Sequence, residues 1–125
     1  MTILYYPKCS TCKKAIKWLD DHGLTYEKRD IVQDNPSADE LKAYHQLSGQ
    51  PLRKFFNTSG KLYREQKLAT KLPMMSEEEM YALLATNGML VKRPLLITED
   101  QVLIGFNDQK WQDALLWLTK IFPGF

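Results

Sequence analysis

The sequence predicts an α/β fold: a mixed four-stranded sheet with flanking helices, and a helical insert at roughly 50–90 ahead of a final β-hairpin. Three observations predict it. The chain opens on an apolar, β-branched run, a helical repeat and a second alternating run, the pattern of a parallel β-α-β unit. The middle reads as helices, two of them announced by Ser-x-x-Glu capping boxes. The end is two short apolar runs around a tight turn, followed by an amphipathic helix.

Residues 2–6 (Thr2-Ile3-Leu4-Tyr5-Tyr6) are β-branched, aromatic and apolar, and read as a buried strand that Pro7 stops. From Thr11 to His22 the apolar positions Cys12, Ala15, Ile16, Trp18 and Leu19 recur at helical spacing, and Gly23 suits the position after the helix. Residues 25–31 alternate well enough for a second strand, expected parallel to a central first one. Ser37 with Glu40 caps a helix that runs to about Leu47, with Leu41, Tyr44 and Leu47 inward and Gly49 ending it. Residues 51–72 read as short helices around a turn at Asn57-Thr58-Ser59-Gly60. Ser76 with Glu79 opens a helix to about Thr86, stapled by Met75 and Met80 and closed by Asn87-Gly88. Residues 95–98 and 101–104 form a hairpin about Glu99-Asp100, antiparallel to the first strand, although Glu-Asp is not a favoured type I′ sequence. Trp111, Ala114, Leu115, Leu118 and Ile121 mark a closing helix from Asp108 to Ile121. The order is that of thioredoxin, with a helical subdomain placed before the hairpin.

At 125 residues the chain is expected to form a single domain, 1–125, with one core. Its uncharged stretches fall far short of the ~20 apolar residues of a membrane span. Met1 to Cys9 lacks the basic start and small-residue cleavage site of a signal peptide, so a cytoplasmic location and no membrane partner are expected. A net charge of +2 is too small to imply direct nucleic-acid binding. The distribution says more. Residues 1–19 hold Lys8, Lys13, Lys14 and Lys17 and no acid, so the rest of the chain has 13 bases against 15 acids. The positive excess surrounds the two cysteines, Cys9 and Cys12.

Cys9-Ser10-Thr11-Cys12 follows a strand and opens a helix, the setting of a redox C-x-x-C. The reactive species is the thiolate. The free N–H groups and positive dipole end of the first helical turn favour it, as do Lys8 and Lys13. Cys9, ahead of the helix, is expected to be the exposed nucleophile, and Cys12, one turn in, the resolving thiol. Two inert buried cysteines are the plain alternative. Half a zinc site is another, but zinc wants four ligands, and His22 and His45 lack finger spacing. Both histidines are expected to be solvated. No metal or organic cofactor is implied. Pro94 is expected in the cis form. Arg93 would then face Cys9 and, with the amides of Ser10 and Thr11 and with Lys8 and Lys13, build an oxyanion site. The alternative for Arg93 is a surface ion pair.

Tyr6-Pro7-Lys8-Cys9-Ser10-Thr11-Cys12-Lys13-Lys14-Ala15, then Lys54-Phe55-Phe56-Asn57-Thr58-Ser59-Gly60, Tyr63-Arg64-Glu65 and Lys92-Arg93-Pro94 resemble the arsenate reductase-related (ArsC/Spx) family. The resemblance spans essentially the whole chain and implies a thioredoxin-like domain with a helical insert. Its reductase branch implies one catalytic cysteine, matched by Cys9, surrounded by three arginines. Arg93 matches one; at the others this chain reads Asn57 and Ile104-Gly105-Phe106, with Lys8, Arg53 and Arg64 as the nearby bases. Its regulator branch implies a C-x-x-C redox switch, matched by Cys9 and Cys12, and a complex with the RNA polymerase α-subunit. Gly105-Phe106-Asn107 is closer to that branch, whereas the regulators carry an arginine where this chain has Thr58-Ser59-Gly60. The sequence thus suggests a thiol–disulfide oxidoreductase served by a small thiol or a thioredoxin- or glutaredoxin-type reductant. The alternative is a non-enzymatic redox-sensing regulator.

Overall fold

A computed structural model describes residues 1–116 of the chain. Thr2–Tyr5 forms β1, which is central as expected, in a sheet of order β2-β1-β3-β4. It pairs in parallel with β2 (Glu27–Asp30), Thr2 opposite Glu27 and Tyr5 opposite Asp30. On its other side it pairs antiparallel with β3 (Leu95–Ile97), which turns back into β4 (Val102–Ile104). The crossover between β1 and β2 is α1 (Ser10–Asp21). The four strands and their helices are the thioredoxin-like arrangement that the element order predicts.

Strand alternation divides the apolar side chains between two cores. Ile3 and Leu96 face Ala15, Trp18, Leu19 and Trp111, the inward stripes of α1 and α6 (Asp108–Leu115). Leu4, Leu95 and Val102 face the other way, onto α2 (Ala38–Ser48) and the insert, with Leu41, Phe55, Phe56 and Leu84. Each fully buried Leu or Phe contributes about 1.5–3 kcal/mol of transfer free energy. The indole N–H groups are not sacrificed to this burial. Trp18 donates to Asp108 Oδ1 at 3.2 Å and Trp111 to the Gly105 carbonyl at 3.1 Å.

The insert comprises a 3₁₀ turn at Leu52–Phe55, α3 (Lys61–Glu65), α4 (Leu68–Lys71), a second 3₁₀ turn at Leu72–Met74 and α5 (Glu77–Leu84). Both capping boxes are present, at Ser37–Glu40 and Ser76–Glu79. Met75 and Met80 are half-buried against the same core, as a staple requires. An isolated bridge between Phe56 and Val91 ties the insert to the approach to β3.

Some expectations are corrected. Leu47 is 41% exposed rather than inward, because α2 uses Leu41 and Tyr44 and leaves its last turn in solvent. Helix α5 stops at Leu84, so Asn87 and Gly88 do not end it. Asn87 instead caps a 3₁₀ turn at Gly88–Leu90. A Cβ on Gly88 would collide with the Ile31 carbonyl, so its glycine serves close backbone approach. The hairpin turn, in keeping with the unfavourable Glu-Asp sequence, does not take the type I′ form, since neither Glu99 nor Asp100 has a positive φ. The Thr98 hydroxyl accepts from the Gln101 and Asp100 N–H groups instead, at 3.1 and 3.4 Å. The expected continuation of the closing helix through Leu118 to Ile121 lies outside the described residues.

Candidate thiol site

The site forms where β1 runs into α1. Cys9 is the residue before the helix, with φ −88° and ψ 118°, and its Sγ accepts the N–H of Cys12 at 3.4 Å. The thiol thus holds the place a serine or aspartate side chain would take in capping a helix. The first turn of α1 contains no acid. Cys12, one turn in, is fully buried, and its Sγ accepts the N–H of Tyr6 at 3.5 Å. Both cysteines are free thiols.

Arg93 reaches this junction from the loop before β3. The Arg93–Pro94 peptide is cis, as expected, and Pro94 is buried. The guanidinium lies over the Tyr6 ring, 5.1 Å from its centroid, and donates to the Met89 carbonyl at 3.4 Å. Asn57, where a second arginine is expected, donates to the same Met89 carbonyl at 3.5 Å. Gly105, within the Ile104-Gly105-Phe106 stretch at the third position, donates its N–H to the Pro94 carbonyl at 2.8 Å. All three positions therefore gather around Arg93, but Arg93 alone among them is charged. Arg64 donates to the Ser59 carbonyl at 2.9 Å.

The two thiols are driven apart electrostatically. Burial pushes the Cys9 thiol up, but hydrogen bonds from the Cys12 thiol and N–H, the Arg93 charge and the Thr11 N–H outweigh it, and its pKa falls below the ordinary thiol value. Burial pushes the Cys12 thiol up to about 12, reinforced by its bond to Cys9, and the Tyr6 N–H and Arg93 offset only part of this. One cysteine is poised to ionise and the other to stay protonated. Lys8, Ser10, Thr11 and Lys13 all have exposed side chains flanking Cys9. Arg93 is the cation acting on the thiol.

Tyr6 was expected to end a strand, but it touches every reactive group. Its N–H meets Cys12, its carbonyl accepts the Cys9 N–H at 3.0 Å, and its ring carries Arg93. The signal available in the sequence was an aromatic ring immediately before the Pro-Lys-Cys turn. The ring's partner, far along the chain, is visible only once the hairpin is folded against β1.

The histidines part company. His22 is exposed at the end of α1, its ring 4.0 Å from that of Trp18. His45 is not solvated. Its side chain is 17% exposed, its Nδ1 is hydrogen-bonded to the Tyr81 hydroxyl at 2.6 Å, and its ring stands edge-on to Phe55. Tyr81 of α5 and Phe55 of the first 3₁₀ turn close over it. No group of three or more metal-ligating side chains occurs among the described residues. Among those residues no helix is long and apolar enough to cross a membrane.

Known proteins bear on this geometry. The ArsC family matches residues 4–114. The YusI protein of Bacillus subtilis (strain 168) is 48% identical over 113 residues, which cover 90% of this chain and 96% of that protein. The global transcriptional regulator Spx 2 of Bacillus cereus is 31% identical over 123 residues, 98% of this chain and 92% of the regulator. The crystal structure of a Bacteroides fragilis protein described as ArsC family related superposes with a TM-score of 0.87 at 58% identity, covering 90% of this chain and 94% of that one.

Proposed function

The chain belongs to the ArsC family, and from that premise we propose that it is a thiol–disulfide oxidoreductase with Cys9 as nucleophile and Cys12 as resolving thiol. The observation that carries the reading is the opposed ionisation of two thiols one helical turn apart, Cys9 lowered and Cys12 raised. A low-pKa thiolate supplies the attacking sulfur, and a protonated neighbour waits until the first bond has formed.

In the proposed cycle the Cys9 thiolate attacks one sulfur of a substrate disulfide. A bond forms between the two sulfurs, the substrate S–S bond breaks, and the departing thiolate takes a proton from water. Forming the mixed disulfide removes the Cys9 negative charge, one of the influences holding the Cys12 proton. Cys12 Sγ then attacks Cys9 Sγ, the mixed disulfide breaks, and the Cys12 proton passes to the departing second substrate sulfur, which leaves as a thiol. The substrate is reduced by two electrons and the protein holds a Cys9–Cys12 disulfide. A small thiol, or a thioredoxin- or glutaredoxin-type reductant, returns both cysteines to thiols. Arg93 and the Thr11 and Cys12 amides offset negative charge on Cys9, and the flanking Lys8 and Lys13 are within the stretch that would meet an oxyanion held there. With Asn57 and Ile104-Gly105-Phe106 where two of the arginines are expected, an arsenate oxyanion would find one guanidinium where the resemblance implies three.

The second reading is a redox-sensing regulator that binds the RNA polymerase α-subunit. What favours it is the 31% identity with Spx 2 over nearly the full length of both chains. One experiment separates the readings. Cys12→Ser protein is expected to trap substrates as mixed disulfides on Cys9, and the wild type to turn over a disulfide substrate with an added reductant. Recovery of polymerase α-subunit from native lysate, with no turnover and no mixed disulfide, would establish the regulator instead.

A further inference from the structure

Away from the thiols, a cleft of about 680 Å³ opens between the start of the insert and the last strand of the sheet. Four of its lining residues, Arg53, Lys54, Lys92 and Lys110, are cations, and none is an acid. All four are exposed. Among the described residues none of them is in an ion pair, although five lysine or arginine ion pairs form elsewhere on this surface. The cleft therefore concentrates unneutralised positive charge on a chain whose net charge is only +2.

The wall of the cleft is a strand edge. All of residues 101–105 line it, and β4 is the last strand of the sheet. The ladder to β3 fixes which backbone groups remain free. Thr98 N–H bonds the Gln101 carbonyl at 2.9 Å and Gly105 N–H bonds the Pro94 carbonyl at 2.8 Å. Residues 101, 103 and 105 therefore bond toward β3. The N–H and C=O groups of Val102 and Ile104 point the other way, into the cleft edge, where no strand of the described residues pairs with them. An unpaired edge is a template for another strand.

We propose that the β4 edge and its four cations form a docking site for an extended acidic peptide segment of a partner protein. The segment adds as a fifth strand beside Val102–Ile104, and its carboxylates meet Arg53, Lys54, Lys92 and Lys110. Main-chain pairing supplies affinity without regard to sequence, and the ring of cations selects for acidic side chains. Cations beside an edge strand also protect against edge-to-edge aggregation. That role alone requires no cleft and no preference among soluble peptides. The inference goes beyond the thiol reading and does not depend on it, since no cysteine takes part.

The test uses the full chain and a synthetic peptide of about six residues alternating glutamate with valine, each residue spanning ~3.3 Å of strand. Fluorescence anisotropy is expected to show saturable binding that weakens about tenfold between ~0.05 and ~0.5 M salt. The same peptide with lysine for glutamate should not bind. Joint Lys92→Glu and Lys110→Glu substitution should weaken binding at least about tenfold. Hydrogen exchange by NMR should slow at the Val102 and Ile104 amides of the complex. Cys9→Ser protein should bind as the wild type does, so loss of the thiol chemistry and loss of docking are read separately. Absence of saturable binding, equal binding of the lysine peptide, or protection appearing elsewhere than Val102 and Ile104 would each overturn the proposal. So would displacement of the peptide by short RNA at equal affinity, which would reveal a general polyanion site.

Discussion

Three helix starts in this molecule face the same problem and divide into two solutions. Each begins with backbone N–H groups that have no partner within the helix. In α2 and α5 the problem is solved locally. Ser37 and Ser76 accept the third N–H at 3.1 Å, and Glu40 and Glu79 return a carboxylate to the serine N–H at 3.0 Å. Their first turns are acidic, which neutralises the positive end of each helix. Helix α1 is capped by a thiol instead, and no acid in its first turn neutralises its positive end. The contrast teaches that the same amides serve stability where a hydroxyl and a carboxylate fill them, and reactivity where a sulfur does.

That contrast can be tested by exchanging the solutions. The largest effect is expected from Cys9→Ser, which converts the α1 start to the serine cap of α2. Disulfide reduction should fall about a thousandfold or more. Thermal stability should change by less than about 0.5 kcal/mol, because serine caps helices well. A stability loss well beyond that would mean that the sulfur is structural.

Next in size is an alkaline effect confined to α1. Cys12 ionises in the unfolded chain near its ordinary 9.0 but in the fold only at about 12. Between those values the unfolded state has lost a proton that the native state retains. Stability therefore falls as pH rises, with a slope of at most ~1.4 kcal/mol per pH unit. Denaturant titrations of wild type and Cys12→Ala across pH 8.5–11 are expected to differ in that slope, the variant being flatter even though its cavity lowers its overall stability. Parallel curves would show that the Cys12 thiol is not held protonated by the fold.

Smaller again is the cost of opening a local cap. Ser37→Ala and Ser76→Ala should each lose about 1 kcal/mol, read by urea denaturation, and leave the Cys9 alkylation rate unchanged. The loss at Ser37 should compound with Glu40→Gln, since the Glu40 carboxylate also takes Arg29 at 2.6 and 3.0 Å. The Arg29 bond, with the Ser37 bonds, holds that carboxyl down at about 2 against partial burial. The Glu40 contribution is present above its usual carboxyl pKa and disappears as pH falls toward 2.

The smallest expected effect is the reverse exchange. Thr11→Glu would give α1 the acidic first turn of α5. It should raise the Cys9 pKa and slow iodoacetamide alkylation at neutral pH about two- to threefold. An unchanged rate would mean that local hydrogen bonds and Arg93 account for the Cys9 ionisation without help from the helix dipole.

Several features of the fold were legible because their causes are local. The Ser37–Glu40 and Ser76–Glu79 boxes, the helical stripe of Cys12, Ala15, Trp18 and Leu19, and the alternation of β1 each depend on residues within a few positions of one another. The Cys-x-x-Cys pair was legible for the same reason, since a helix start brings its first and fourth residues together by geometry alone. Leu47 was misread because periodicity marks a side of a helix, and only the length of the neighbouring core decides how far that side is covered. His45 was misread because its cover, Tyr81 and Phe55, arrives from two other segments.

The sequence by itself determined the strand and helix order, the serine-capped helix starts and the placement of two thiols at another, since backbone sterics, apolar spacing and side-chain caps act within a turn or two. Tertiary structure alone decided that Tyr6 lies beneath Arg93, that Asn57 and Arg93 share the Met89 carbonyl, and that no strand of the described residues pairs with the outer edge of Val102–Ile104, beside four cations. Those contacts join residues tens of positions apart. Their geometry is set by how the hairpin, the insert and β1 pack together, because burial of apolar surface fixes which segments meet without encoding in either one what the other will bring.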